Sequence, residues 1–338
     1  MENNMNENVN HKLVVCGDIH LQSKSPKYDN VIDTLDWIFN NKNLNNENNE
    51  ILFLGDLCEI NSPFSCFEKF VDYFVNRSHF NQIYLLTGNH DVANLDNVLA
   101  LFRPLKNVKV ITDWEIIKFY NCNLLLLPHF NHEGTNKLSM IETYSNLYKT
   151  LTEEFDYGFS HVEDETQHFS KRFVDVSKLN VKQWLNGHIH NGNAWNGGHY
   201  LGSACANSVA EHGVDKKIAI IDGETKECEF VTLPKFLEYY SVEYGKPLPK
   251  IDTKYGIFII INSIVNRNEA ILHYEQEAEK HGYKFYCRKV LTKKLKSVEL
   301  DEIENTSEKL TFEQFAKSVE LSDSISDICK EVINLKEC

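Results

Sequence analysis

Three short apolar runs, each breaking at a glycine followed at once by a carboxylate or an amide, constrain this chain more than any other feature. Leu13-Val14-Val15-Cys16 ends at Gly17-Asp18, Ile51-Leu52-Phe53-Leu54 at Gly55-Asp56, and Ile83-Tyr84-Leu85-Leu86 passes through Thr87 to Gly88-Asn89. Apolar runs without polar alternation read as strands buried on both faces. Between them, 29–40 (DNVIDTLDWIFN) and 64–77 (FSCFEKFVDYFVNR) carry apolar residues at helical spacing. Alternating strands and helices predict an α/β domain with a parallel sheet.

Further strands are expected at 108–111, 115–119, 123–127, 156–160, 183–186, 198–201, 217–222 and 228–232. Strands therefore outnumber helices in this later part, and two packed sheets flanked by helices are the natural architecture. A boundary is expected near Leu233-Pro234. Beyond it, Gly256 to Val290 reads as one β-α-β unit: a buried strand at 257–261, a helix at 267–280 capped by Gly282, and a returning strand from Tyr283. The expected organisation is a disordered start (1–11), a main domain (12–233), a small α+β capping domain (234–296) and a helical tail (297–338). In that tail Ile325, Ile328, Cys329, Val332, Ile333 and Leu335 share one helix face.

Charge and cysteine usage narrow the function classes. The 338 residues carry 35 Lys and Arg against 49 Asp and Glu, a net −14, which argues against broad electrostatic capture of nucleic acid. From Val298 to Cys338 there are 11 acidic and 4 basic residues, so 4 − 11 = −7 of that charge lies in the tail. The nine cysteines are scattered without a CxxC pair and read as reduced, buried small residues. The Asn-rich start (MENNMNENVNH) has no apolar core of a secretory signal, and no run of about 18 apolar residues occurs. A cytoplasmic protein without membrane association is expected, in a bacterial host or a virus-infected cell. No GxxxxGK[ST] loop is present, so ATP hydrolysis by this chain is not expected.

The chemistry sits at strand ends: Asp18-Ile19-His20, Gly55-Asp56, Gly88-Asn89-His90-Asp91 and, later, Gly187-His188-Ile189-His190. Strand ends of an α/β sheet share one edge, so residues far apart in sequence can meet there. Carboxylate, amide oxygen and imidazole together suit Mn, Fe or Zn and are too nitrogen-rich for calcium. A lone DxH or HxH occurs widely by chance. Four such motifs in this order, each after an apolar run, point to a metal centre.

This ordered set resembles the calcineurin-like metallophosphoesterases, over roughly Lys12 to Val231. The resemblance implies a four-layer α-β-β-α sandwich and two divalent ions, Mn2+ first, with Mg2+, Fe2+ or Zn2+ as alternatives. It assigns Asp18, His20, Asp56 and His190 to one ion, and Asp56 as bridge with Asn89, His188 and one further histidine to the other. His129, His132 and His161 compete for that last place; His161 is chosen, with Pro128-His129 resembling the family element that precedes the ligand. The resemblance makes His90 the acid over the scissile phosphate, with Asp91 expected to orient it.

Within the superfamily the chain is most similar to the SbcD-type DNA repair and recombination nucleases, including phage counterparts. Tyr200-Leu201-Gly202-Ser203, Ser208 and Glu211-His212-Gly213 carry this, with the following KKIAIID strand and the 256–290 unit. Glu59 departs from the pattern, since those nucleases often have His three residues after the bridging Asp. The resemblance implies DNA as substrate, an SbcC-type SMC-like ATPase docking on the C-terminal helices, and room for a homodimer. Lys24, Lys27 and Arg103, with Lys106, Lys293, Lys294 and Lys296, are the candidate phosphate contacts. The alternative is a stand-alone metallophosphoesterase acting on a nucleotide or another small phosphoester.

Overall fold

The computed structural model describes residues 11–60, 62–91, 98–129, 140–162, 175–195, 197–262, 266–282 and 284–292. In chain order the body comprises β1 (Lys12–Cys16), α1 (Lys27–Asn40), β2 (Glu50–Phe53), α2 (Phe64–Asp72), β3 (Gln82–Leu86), β4 (Val108–Ile111), β5 (Glu115–Phe119) and β6 (Cys122–Leu127). It continues with α3 (Met140–Thr150), β7 (Phe155–Ser160), β8 (Val181–Asn186), β9 (Asn193–Trp195), β10 (Gly198–Tyr200), β11 (Lys217–Asp222) and β12 (Cys228–Thr232). Two six-stranded sheets result, ordered β12-β11-β1-β2-β3-β4 and β5-β6-β7-β8-β10-β9. Strands β1 to β4 run parallel, as do β6, β7, β8 and β10.

The apolar runs of β1 to β3 are continuous because both faces are covered. Val14, Cys16, Ile51, Phe53, Ile83 and Leu85 pack with Val31, Leu35 and Ile38 of α1 and with Phe67 and Phe70 of α2. The alternate residues Leu13, Val15, Leu52, Leu54, Tyr84 and Leu86 meet Leu124, Leu126, Phe159 and Leu185 of the second sheet. Outside that sheet, Leu125, Leu127 and Trp184 pack against Leu147 of α3. The order helix, sheet, sheet, helix is the expected four-layer sandwich. Helix α2 is followed by a π-helical turn, Tyr73–Arg77, so the helix read at 64–77 changes geometry in its last turn.

After Pro234 comes a three-stranded parallel sheet, β13 (Leu237–Glu243), β14 (Tyr255–Asn262) and β15 (Phe285–Thr292), with α4 (Arg267–Lys280) between the last two strands. Helix α4 starts where Asn266 accepts the Glu269 amide, and Gly282 follows it with φ +72°. Tyr274 and Ala270 of α4 pack on Val242, Phe258 and Ile260. Leu237, Tyr239 and Ile257 instead bury Ala206, which belongs to the main body. Strand β13 is not among the expected strands, because its Leu-Glu-Tyr-Tyr-Ser-Val-Glu run is interrupted by polar residues rather than unbroken and apolar. The described residues all belong to one compact unit. The expected C-terminal helices at 297–338, like His132, Lys293, Lys294 and Lys296, lie outside the described residues.

A buried carboxylate fastens the second sheet. Asp156 of β7 accepts from the Asn123 amide and from Lys182 and Lys226 at 2.9–3.0 Å. Burial raises its pKa, but these donors outweigh that and hold the carboxyl at about 2. The stabilisation is therefore present above the unfolded carboxyl pKa and lost as pH falls through about 2. Asp156→Asn is expected to cost about 1–3 kcal/mol at pH 7, and this difference from the wild type should be clearly smaller at about pH 3, below the unfolded carboxyl pKa. Urea unfolding at both pH values measures this; a cost that does not change with pH would contradict the role.

Candidate metal centre

Strands β1, β2 and β3 deliver Asp18, Asp56 and Asn89 to one edge of the first sheet, while β7 and β8 deliver His161 and His188 to one edge of the second. The two edges face each other. Asp18 accepts the His188 amide on Oδ2 at 2.9 Å, and His161 places Nδ1 2.7 Å from the Leu54 carbonyl. Three non-glycine residues here have left-handed backbone: His20 (φ 51°), Asp56 (φ 49°) and His188 (φ 77°). Such conformations cost about 1–3 kcal/mol each and gather at functional sites, where they aim side chains off the strand direction.

Gly88 shows why the motif glycines are needed. A Cβ on it would lie 2.1 Å from Asp56 Oδ1 and 2.4 Å from the Asp56 amide nitrogen. Only glycine lets the third strand end approach the second closely enough to hold that carboxylate.

Two groups of donors share Asp56. In the first, the Nε2 atoms of His20 and His190 are 3.0 Å apart, with Asp18 Oδ2 3.7 Å from His190 and Asp56 Oδ2 3.6 Å from His20. Ligand atoms of Asp18, His20 and His190 all lie within 4.8 Å of one another. In the second, Asn89 Oδ1 is 2.9 Å from His161 Nε2 and 3.0 Å from His188 Nδ1, and Asp56 Oδ2 is 3.3 Å from His161 Nε2. All seven residues expected as ligands are thus brought together. His161, fully buried, stands in the second group, whereas the His129 ring is 6.3 Å from it and its amide bonds to the Thr87 carbonyl.

Electrostatics favour a bound cation. Burial pushes the Asp18 carboxyl up to about 6, against the opposing pull of His161. Burial also lowers His20 to about 4 and His188 to about 3, which keeps both rings neutral with lone pairs free for a metal. Burial opposes a charge on His161, yet Asp56 and Asp18 lift it to about 10. Against burial, His161 and His20 hold Asp56 well below the usual carboxylate range.

His90 stands beside the first group, its ring 4.7 Å from that of His20, and its amide donates to Asp56 Oδ1 at 2.8 Å. The expectation that Asp91 orients His90 is corrected here. Asp91 is buried and its Oδ2 accepts the amides of Asp56 and Gly88, both at 2.8 Å, so it fixes the two turns. The partner of the His90 ring is Glu59, whose Oε1 lies 2.7 Å from Nδ1. Glu59 stood out in the sequence only as a departure from a pattern; its pairing needed the fold. Glu211, buried beside His190, was legible only as part of a resembling motif.

Of the candidate phosphate contacts, Lys24, Arg103 and Lys106 are exposed, while Lys27 donates to the Asn207 carbonyl at 2.5 Å. Among the described residues, no helix is long and apolar enough to cross a membrane.

The sequence model of the calcineurin-like phosphoesterases matches residues 11–192, which contain every residue of both donor groups. The chain belongs to this family. Solved structures similar to this phosphoesterase include an archaeal phosphodiesterase, at 15% identity over 66% of this chain and 99% of the other, with a TM-score of 0.35. Another is a protein of unknown function from Aquifex aeolicus, at 15% identity over 58% and 84%, with a TM-score of 0.30. No curated protein matches the chain.

The family is one of metal-dependent phosphoester hydrolases, and the donors fit divalent ions. Asp18 Oδ1 is buried without a hydrogen-bond partner, and two facing imidazole nitrogens converge beside it. Asp18, His20 and His190 could hold one ion, Asn89, His161 and His188 a second, and Asp56 both. Gly88→Ala should displace Asp56 and reduce bound Mn2+ below two per chain in equilibrium dialysis. Undiminished binding would show that the close approach is dispensable.

Proposed function

We propose that this calcineurin-like phosphoesterase hydrolyses DNA phosphodiester bonds as the nuclease subunit of an SbcCD-like repair or recombination complex, using two divalent ions, Mn2+ foremost. The observation that carries the reading is the three-stranded sheet with its helix, packed through Leu237, Tyr239 and Ile257 onto Ala206 just beyond the metal-centre histidines. A small phosphoester needs no such added module. The Tyr200-to-Gly213 stretch, similar to that of SbcD-type nucleases, agrees with it. Residues 297–338 are proposed to dock on an SMC-like ATPase, which supplies the ATP hydrolysis this chain has no loop for.

When bound, the divalent ions supply Lewis acidity toward the phosphate oxygens and make a water nucleophilic near neutral pH. The chain's own contribution to leaving-group departure is His90. Its Nδ1 is engaged by Glu59, which leaves Nε2 to deliver a proton to the departing ester oxygen. Burial disfavours the charged ring, but Glu59 and Asp56 raise its pKa above the ordinary histidine value, which favours the acid form. Asp91 holds the Gly88 and Asp56 turns together, and Asp18 and His188 are fixed by the hydrogen bond between them.

His90→Ala should leave two ions bound while lowering turnover of a model phosphodiester by about 10²–10⁴, and Glu59→Gln should lower it less. Metal analysis of His90→Ala showing a lost ion would contradict the division of roles.

One observation favours the alternative of a small phosphoester substrate: the net charge of −14, with Lys27 already engaged by Asn207. Duplex and hairpin DNA assayed with Mn2+ across a salt series separates the two. A DNA nuclease should cleave both and weaken steeply with salt; activity on nucleotides alone, insensitive to salt, would overturn the DNA reading.

A further inference from the structure

The face of His190 turned away from the first donor group meets a buried network that phosphoester chemistry does not use directly. Its Nε2 faces His20 and Asp18, so Nδ1 is the ring's other handle, and Glu211 Oε1 lies 3.3 Å from it. Glu211 is 2% exposed and belongs to the loop after β10. Its Oε2 accepts from Lys216 Nζ at 2.6 Å, Ser203 Oγ at 2.8 Å and the Asn207 amide at 3.2 Å. Lys216 also donates to the His190 carbonyl at 3.1 Å and to Ser203 Oγ at 2.9 Å. The His190 backbone and ring are therefore gripped by the same carboxylate–ammonium pair. The next residue fastens this loop to the small sheet: His212 Nδ1 is 2.8 Å from Glu238 Oε1 of β13, and the Gly213 amide donates to Glu238 at 3.3 Å.

We propose that Glu211 is the positioning residue of His190: it accepts the Nδ1 proton, fixes the tautomer that leaves the Nε2 lone pair directed at the first donor group, and is itself held by Lys216, Ser203 and the loop anchored on β13. An imidazole that ligates through one nitrogen must carry its proton on the other, and an acceptor there sets both ring angle and basicity. A carboxylate used only to staple the loop needs Lys216 and Ser203 but not His190. This inference rests on the two-ion reading of the centre.

The test is Mn2+ titration followed by electron paramagnetic resonance, with thermal melting in chelator as a check on folding. Glu211→Leu combined with Lys216→Met replaces the buried pair by apolar groups of similar volume, so the loop can stay packed while the acceptor is gone. The wild type should bind two ions, and the double variant should bind one of them about 10–100-fold more weakly, the second unchanged. Glu211→Asp keeps the charge for Lys216 but withdraws the carboxylate from Nδ1, and it should weaken the same ion; this variant decides the matter if the double variant does not fold. In wild-type protein loaded with diamagnetic Zn2+, histidine nitrogen NMR should show His190 carrying its proton on Nδ1. Unaltered affinity for both ions in a folded variant, or His190 protonated on Nε2 in the Zn2+-loaded protein, would overturn the positioning role. A wild type binding fewer than two ions would instead overturn the reading beneath it.

Discussion

A single buried carboxylate, Asp56, sits where the two halves of the site meet. Its Oδ2 lies 3.6 Å from His20 and 3.3 Å from His161, and its Oδ1 accepts the His90 amide. Burying an anion is costly unless opposite charge and hydrogen bonds surround it. The surroundings are arranged for that purpose: the Asp56 amide is held by Asp91, the Gly88 turn closes over it, and left-handed backbone at Asp56 aims the carboxylate into the crevice. Disturbing any of these would move the carboxylate common to both donor groups.

The sandwich makes this arrangement possible. Strands β1 to β3 are locked by apolar residues on both faces, so their carboxyl ends are fixed to one another by packing and not only by the polar contacts of the turns. Strain at His20, Asp56 and His188 is tolerated because rigid strands lie immediately before the turns that carry them. The small sheet adds a second layer of support from outside, through the loop that runs beneath His190.

Much of the fold was legible because buried parallel strands leave a plain mark, an unbroken apolar run ending in glycine. Strands β4, β5, β11 and β12 and helix α4 fall at the expected residues. Strand β9 and helix α3 are not among the expected elements; the first has only three residues, whereas the second, MIETYSNLYKT, does carry Met140, Ile141, Tyr144, Leu147 and Tyr148 at helical spacing and was legible. The convergence of the seven donor residues was legible because strand ends share an edge. The partners of the histidines were not. Glu59 lies 31 positions before His90 and Glu211 lies 21 after His190 (90 − 59 and 211 − 190), and no periodicity joins such pairs. Asp91 was misread for the opposite reason, since adjacency in sequence to His90 suggested a contact that the turn directs elsewhere.

The most direct measurement is an anomalous difference map from crystals grown with Mn2+. Asp56 as a bridging ligand requires two peaks about 3.5–4 Å apart, one beside Asp18, His20 and His190 and the other beside Asn89, His161 and His188. A single peak, or density seated instead among His20, Glu59 and His90, would contradict it.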